Sequence, residues 1–523
     1  MKTISVTCGL VLAASGLVNE FAQAQSVQSA WQFQAGGGQT EVLYSAIQTS
    51  DGGFLLGGKS NSGIEGNKSA SSLGGADFWI VRLDANGSKL WDRTFGGTGD
   101  DILFSLRETT NGDFVLGGSS ASGVNGNKTA TNKGGTDFWV VRIDANGTKL
   151  WDKSIGGGDD DTLEALEVTA DGGILCAGFS ASVISGDKTT KNWGGSDFWL
   201  VKLDANGNKV WDKTYGGTGD DFCYSIAPAG NGGYVLAGSS ASGTGGNKTS
   251  GNSGMTDFWA VRVDANGDKV WDASYGGTNE DGITSVSIVA APAGGFLIGG
   301  DSFSGINGQR TKQNFGQDDF WVVRIDTGGA VLWDAAFGGT GNDYLTAVQT
   351  SVNGGFVLAG GSTSGITGNK TTASFGSVDY WLVGIDSAGS KAWESVFGGS
   401  SLDGFINVAL WPASDGGYLL AGDSFSGATG NKTTASYGGS DFWAVKLTVQ
   451  SPAKLRVVPQ TNVANGFDFY LQGTIGHTYV TEFSTNFLNW TPLSTNTLAT
   501  TEIPLTDNGA QNSSARFYRA HEK

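Results

Sequence analysis

The chain has 523 residues, 86 of them glycine and 7 proline, with 16% charged residues and a formal net charge of −18. That balance, with no Lys/Arg cluster, excludes the basic footprint of a nucleic-acid binder and disfavours anionic membrane surfaces. Cationic ligands, divalent metals and neutral glycans stay open, and the length admits several domains or one large repetitive one.

The N-terminus reads as an export signal. Lys2 precedes the apolar run "ISVTCGLVLAASGLV" (4–18), which is short for a permanent span, and "AQA" (22–24) supplies the small residues of a cleavage site. The expectation is a signal peptide over 1–24, a mature chain from Gln25, a secreted or cell-surface location and no transmembrane segment. Cys8 lies inside the apolar run, so no lipoprotein-type cysteine follows it. Cleavage leaves Cys176 and Cys223, both in apolar slots. They are either two free core thiols or a bridge between neighbouring repeats.

The first predicted strand, "SAWQFQAGG" (29–37), matches "KLWDRTFGG" (89–97), the last strand of the unit that follows. An internal repeat then governs the chain. The Asp-aromatic-Trp triplet falls at Asp77, Asp137, Asp197, Asp257, Asp319, Asp379 and Asp441, at intervals of 60, 60, 60, 62, 60 and 62 residues. The two longer intervals place their extra residues before a Gly-Gly turn, at "VAAPAGG" (289–295) and "WPASDGG" (411–417).

Each unit divides into four strands. In the second unit these are "DILFSLRET" (101–109), "DFVLGGSS" (113–120), "DFWVVRID" (137–144) and "TKLWDKSI" (148–155). They are rich in β-branched and aromatic residues and bounded by Gly, Asn and Asp. "DANG" at 84–87, 144–147, 204–207 and 264–267 suits a tight hairpin. Four short antiparallel strands repeated seven times predict an all-β protein, a seven-bladed β-propeller over 29–447. The seventh unit stops at "DFWAVKL" (441–447), without its fourth strand, and the missing strand stands at 29–37. The N-terminal strand is therefore expected to close the ring and remove an exposed edge. The aromatic residues of "DFW" and "LWDK" are expected to pack between blades.

Strand order sorts the connections onto two faces. The short "DANG" and "NGG/DGG" turns share one, with Asn86, Asn146, Asn206 and Asn266 as construction residues. The "GGTGDD" connections and long loops such as "ASGVNGNKTATNKGG" (121–135) share the other, where binding is expected. Lys68, Lys128, Lys188, Lys248, Lys370 and Lys432 recur at one loop position and are candidate binding residues, a ring of weak contacts acting together. Five copies of "GNKT/GNKS" are formal glycosylation sequons, or simply Asn-Gly turns.

The innermost strands open with Glu41, Asp101, Asp161, Asp221, Asp281, Asp343 and Asp403. These acids form either a carboxylate collar for calcium or another cation, or caps that accept hydrogen bonds from their own glycine-rich turns. The histidines are His477 and His521, both outside the repeats, which excludes Ser-His-Asp, Cys-His and His-rich metal sites within the ring. A carboxylate pair of the glycosidase kind stays open. Acids copied around a ring, however, point to structure or multivalent binding.

"RLDANGSKLWDRTFGG" (82–97) resembles the repeat of quinoprotein-like propellers. "SDFWLVKLDANGNKVWDKTYGGTGDD" (196–221) more closely resembles the repeat of secreted bacterial β-propeller proteins that lack an assigned activity. The quinone enzymes of the wider superfamily imply a calcium-assisted cofactor site, often with adjacent cysteines. This chain has no adjacent cysteine pair, so that oxidoreductase activity is not carried over. After a linker (448–454), residues 455–523 show period-two apolar strands and predict a small β-sandwich. "EFSTNFLNWTPLSTNT" and the terminal "RFYRA" resemble C-terminal modules of large secreted bacterial proteins, which implies attachment, sorting, glycan contact or capping. The function expected is that of an exported, monomeric binding or scaffold protein for an extracellular glycan or protein. A polysaccharide hydrolase using Asp/Glu is the alternative, and a quinone-dependent oxidoreductase stands behind it as the third reading.

Overall fold

The computed structural model describes residues 26–230, 232–450, 454–457, 467–473, 477–486, 488–500, 502–510 and 516–522; at 283, 284, 450, 454, 456, 457, 521 and 522 only the backbone is described. The expected signal peptide and residues 451–453 of the expected linker lie outside these. Every named element among the described residues is a strand. No helix among them is long and apolar enough to cross a membrane. Contacts divide the chain into a unit of Ser29–Thr448 and a second holding the residues from Val449 onwards.

The first unit is built from seven four-stranded sheets among the described residues, numbered 1 to 7 in chain order of their inner strands. Those inner strands are Glu41–Gln48, Asp101–Glu108, Asp161–Val168, Asp221–Pro228, Asp281–Ala290, Asp343–Thr350 and Asp403–Pro412. They neighbour one another in a closed cycle around a central channel, a propeller-type arrangement. In sheet 2, Asp101–Glu108, Phe114–Ser120, Asp137–Ile143 and Lys149–Ile155 pair in sequence order, all antiparallel.

Burial follows strand position. The third strand, "DFWVVRI" in sheet 2, is buried along nearly its whole length because neighbouring sheets cover both of its faces. The outer strand alternates, with Leu150 exposed and Asp152 buried. At the hairpin between them Gly147 takes φ 81°, which only glycine adopts readily.

The sheets are joined by aromatic pairs. Phe78 meets Trp139 at 4.6 Å, Phe138 meets Trp199 at 4.7 Å, and the series continues around the ring. It ends with Phe442 of sheet 7 against Trp79 of sheet 1 at 4.7 Å. Each of these tryptophans is fully buried, so one truncation to alanine costs ~3–5 kcal/mol. Sheet 7 takes Ser26–Ala35 as its outer strand, beside Asp441–Gln450. Gln34 donates to Asp441 (2.6 Å), and Gln32 accepts from the Thr433 amide (2.8 Å).

One expectation is corrected. The two extra residues of sheets 5 and 7 do not lie in the Gly-Gly turns. Ile288 pairs with Ile298 as Leu106 pairs with Leu116, so the turn that follows keeps its ordinary length. The register breaks instead between Asp281 and Val286, and between Asp403 and Val408. The insertions are bulges in the inner strands, at the channel, and each starts on a positive-φ glycine, Gly282 (75°) and Gly404 (73°). A proline-bearing turn looks like the natural place for extra residues, which is why the strings mislead.

The second unit contains two three-stranded antiparallel sheets among its described residues. Phe467, Phe469, Leu471, Tyr479 and Tyr518 are buried within it. In the first unit, Cys176 and Cys223 are both buried and unbridged.

Candidate functional site

The candidate lysines are turned inward. All six are between 1% and 3% exposed, each with its ammonium over the indole of its own sheet, from 4.9 Å for Lys188 to 5.8 Å for Lys128. Lys128 donates to the Ser122 carbonyl (2.7 Å) and Lys370 to the Thr372 carbonyl (2.7 Å), and the other four bond comparable loop or strand oxygens. Arg310 holds the same place in sheet 5, 5.5 Å from Trp321. A carboxylate completes the arrangement: Asp152 accepts from the Trp139 indole (3.2 Å), from the Thr129 amide (2.9 Å) and from Lys149 (2.8 Å). Cation, indole and carboxylate thus pin the long loop to the sheet and leave these lysines no surface to offer a ligand. The loop asparagine works beside them. Asn127 accepts from Gly96 N–H (2.9 Å) and donates to the Thr94 carbonyl (2.8 Å), so both ends of its amide serve the turn.

Two sheets depart from this pattern. Glu394 and Gln32 stand where the others have aspartate, and among the described residues the indole nitrogens of Trp381 and Trp443 have no hydrogen-bond partner. Gln32 also donates to the Asn431 carbonyl (2.7 Å), as Lys149 does to Asn127. One neutral amide in the closing strand therefore replaces a lysine and an aspartate.

The repeated inner acids are fully buried and engaged in their own turns. Asp101 accepts from Gly97 N–H (2.8 Å) and from Ser122 (2.8 Å), and Asp221 does the same with Gly217 (2.8 Å) and Ser242 (2.9 Å). Asp161, Asp281, Asp343 and Asp403 repeat this, and Glu41 accepts from Gly37 (2.8 Å) and Ser60 (2.8 Å). Among the described residues no group of three or more His, Cys, Asp or Glu side chains converges on a metal position. Beside each inner acid lies the triplet aspartate of the preceding sheet. A Cβ on Gly156 would sit 2.1 Å from Asp137 and 2.9 Å from Asp161, so the double glycine is the space that lets both carboxyls in. Burial pushes the Asp137 carboxyl up to about 6 and that of Asp197 up to about 7.

Sequence reasoning missed the channel wall. A cavity of about 460 Å³ lies between the inner strands, lined by Tyr44, Phe104, Glu164, Tyr224 and Thr346, and by the bulge residues Ser285 and Gly404–Asn407 among others. Tyr44, Phe104, Glu164, Tyr224 and Thr346 all stand three residues after the inner acid, so one repeat position carries five side chains of four kinds. Asp423 accepts from the amides of Ile406 (3.1 Å) and Asn407 (3.2 Å), which fixes the sheet 7 bulge. Asp301 occupies the matching place in sheet 5, where the five sheets without the two-residue insertion have Lys59, Ser119, Phe179, Ser239 and Gly361. Glu164 is the one carboxylate in the described lining, so a second acid for glycosidase chemistry is not at hand there.

The long-loop face carries a further missed feature. Ile64, Val124, Ile184, Ile306 and Ile366 recur at one loop position and are 60–68% exposed. Trp193, Phe375 and Tyr437 are exposed in the second half of the same loops. A second repeated apolar set, Leu90, Leu150, Val210, Val270 and Leu332, is exposed on the outer strands.

Regulatory protein FlaEY of Caulobacter vibrioides is 26% identical to this chain over 332 residues, covering 57% of this chain and 34% of that protein. The chain thus spans about a third of the length of the curated relative it matches. No family model matches it. Hydrazine synthase of Kuenenia stuttgartiensis aligns with 74% of this chain and 94% of its own, at 10% identity and a TM-score of 0.44. The WD40 domain of Neurospora crassa Pan2 aligns with 64% of this chain and 92% of its own, at 10% identity and a TM-score of 0.32.

Proposed function

We propose that residues 29–447 form a seven-bladed β-propeller scaffold that binds a protein partner through its long-loop face. The chain is exported, and residues 455–523 form a small β-sandwich that follows the scaffold. The observation that carries this reading is the ring of exposed Ile64, Val124, Ile184, Ile306 and Ile366. Solvent-facing aliphatic side chains at one repeat position, held on pinned loops, are a multivalent apolar contact surface. Exposed Glu65, Asp100, Asp160 and Asp220 lie among them on the same face, and the chain carries a net charge of −18. The fitting partner presents apolar side chains flanked by lysine or arginine. A relative named as regulatory fits a binding role better than a catalytic one.

A second reading has its own support. Exposed Trp193, Phe375 and Tyr437 offer ring faces for sugars, so a glycan is the alternative ligand on that face. The test is a capture experiment from the extracellular fraction of the producing cells, with a glycan array in parallel. The partner retained by the intact protein should be lost when Ile64, Val124, Ile306 and Ile366 become serine. It should be kept when Leu90, Leu150, Val210 and Leu332 become serine. Equal retention by both variants would reject the face. Array signal that depends on Trp193 would replace the protein partner with a glycan.

A further inference from the structure

The channel cavity has a chemistry of its own, independent of the loop face. Around the ring the inner strands of sheets 1 to 4 contribute Tyr44, Phe104, Glu164 and Tyr224 in succession. The Tyr44 and Phe104 rings meet edge to face at 4.8 Å. Glu164 stands between Phe104 and Tyr224, and among the described residues it has no hydrogen-bond or ion-pair partner. The opposite arc is polar but already engaged. Ser285 donates to the Leu345 carbonyl (3.1 Å), Thr346 to the Val408 carbonyl (2.6 Å), and Asn407 to the Tyr44 carbonyl (3.0 Å).

These facts select a ligand by charge. Among the described residues no lysine, arginine or histidine lines the cavity, so an anion finds no counter-charge there. Ser285, Thr346 and Asn407 already serve neighbouring strands, which leaves a sugar fewer donors. The charged group on offer is one carboxylate flanked by aromatic rings. A carboxylate supplies attraction at low dielectric, and the negative faces of aromatic rings supply more. The volume of about 460 Å³ suits a small molecule.

We propose that the channel cavity binds a small organic cation, an alkylated amine or quaternary ammonium, held by Glu164 against the arc of Tyr44, Phe104 and Tyr224. The bulges of sheets 5 and 7 close the opposite side, and Asp423 is a positioning residue that fixes one of them. Burial supports a linked proton. It pushes the Glu164 carboxyl up to about 8, so the empty site holds a proton at neutral pH that a cationic ligand displaces. The ionisable groups facing it are Tyr44 on sheet 1 and Tyr224 and Cys223 on sheet 4. Burial raises all three, which leaves them neutral in that range.

The experiment is calorimetric titration of the full chain with choline and with 3,3-dimethyl-1-butanol, its neutral carbon isostere. Choline should saturate one site, and the isostere should bind at least ~10-fold more weakly. At pH 7 the choline enthalpy should vary with the ionisation enthalpy of the buffer, reporting proton release. Glu164→Gln, isosteric with the protonated acid and expected to melt with the intact chain, should weaken choline ~10-fold or more and abolish the buffer dependence. Tyr224→Leu should weaken it several-fold, and Asp268→Asn, in an exposed hairpin turn away from the channel, should leave it unchanged. No saturation by choline, equal affinity for the isostere, or undiminished binding to Glu164→Gln would each overturn the proposal.

Discussion

At the base of each long loop a cation, an indole and a carboxylate recur with small changes. A short distance inward, Tyr44, Phe104, Glu164, Tyr224 and Thr346 occupy one repeat position and share almost nothing. Both regions come from the same seven units, so the difference is not one of fold. The loop base must make the same closed set of bonds seven times, and any departure leaves a buried group unpaired, as at Trp381 and Trp443. The channel wall faces open space, and its bonds to neighbouring sheets, such as Thr346 to the Val408 carbonyl, are single and differ from sheet to sheet. Agreement among the repeats marks construction here, and disagreement marks the place where a ligand could be selected.

The largest test attacks the construction side. Deleting residues 26–37 removes the outer strand of sheet 7, its Gln34–Asp441 bond and the partner of the Asp441–Gln450 edge. The loss should be roughly 5 kcal/mol or more, with association through the bared edge. Scanning calorimetry and light scattering check it. A truncated chain that melts with the intact one and stays monomeric refutes closure.

A smaller test works within the loop base. Asp152→Ala strands the Trp139 indole and the Thr129 amide and should destabilise by ~1–3 kcal/mol in denaturant titrations. Glu394→Asp does the reverse in sheet 6. It shortens the side chain to the form that bonds the indole elsewhere, and should stabilise by ~0.5–1 kcal/mol. If the second change is neutral, the unpaired indoles are not deficits.

The smallest expected effect is on pH dependence. Burial pushes Asp77, Asp137, Asp257 and Asp379 up to about 6, and Asp197 and Asp319 up to about 7. In the unfolded chain aspartate titrates near ~3.9, so between these values the folded state binds more protons and stability rises as pH falls. Asp92 and Asp152 work the other way. Burial opposes their charge, but bonds from Lys89, Ser69 and Trp79, and from Lys149 and Thr129, outweigh it and hold both near about 2. Their contribution is lost as pH falls from about 4 to about 2. The melting temperature should therefore climb from about pH 7.5 to about pH 5 and drop below about pH 4. A maximum above pH 7 would mean that the triplet acids are charged at no penalty.

Much of this was legible in the strings. The triplet spacing and the displaced strand at 29–37 gave the four-stranded units and their pairing at the chain ends, because alternation and register are local properties that repetition amplifies. The lysines misled, since a cation in a long loop looks exposed until its indole partner, folded back from the third strand, is seen above it. The channel was the reverse case. "DGIT" with "GGDS", and "DGFI" with "AGDS", mark both bulges and the aspartates opposite them. Reading them required aligning the repeats on the inner strand rather than on the glycine turns. The exposed Ile/Val ring was visible as a repeated loop residue, but exposure is a tertiary fact.

The closing strand also sets a timetable. It is synthesised before every sheet, while its partner, Asp441–Gln450, comes after the other six have been made; the Gln34–Asp441 bond spans 407 residues. The entropy of joining such distant segments grows only with the logarithm of their separation, so the delay weighs on kinetics more than on equilibrium. Throughout synthesis the strand at 26–35 has no mate, and the channel has no seventh wall. Folding should therefore be gated by a late, non-local docking step, with an aggregation-prone interval before it that a chaperone would have to cover. Any ligand of the channel would act on the far side of that gate, as a slow-release brake on reopening.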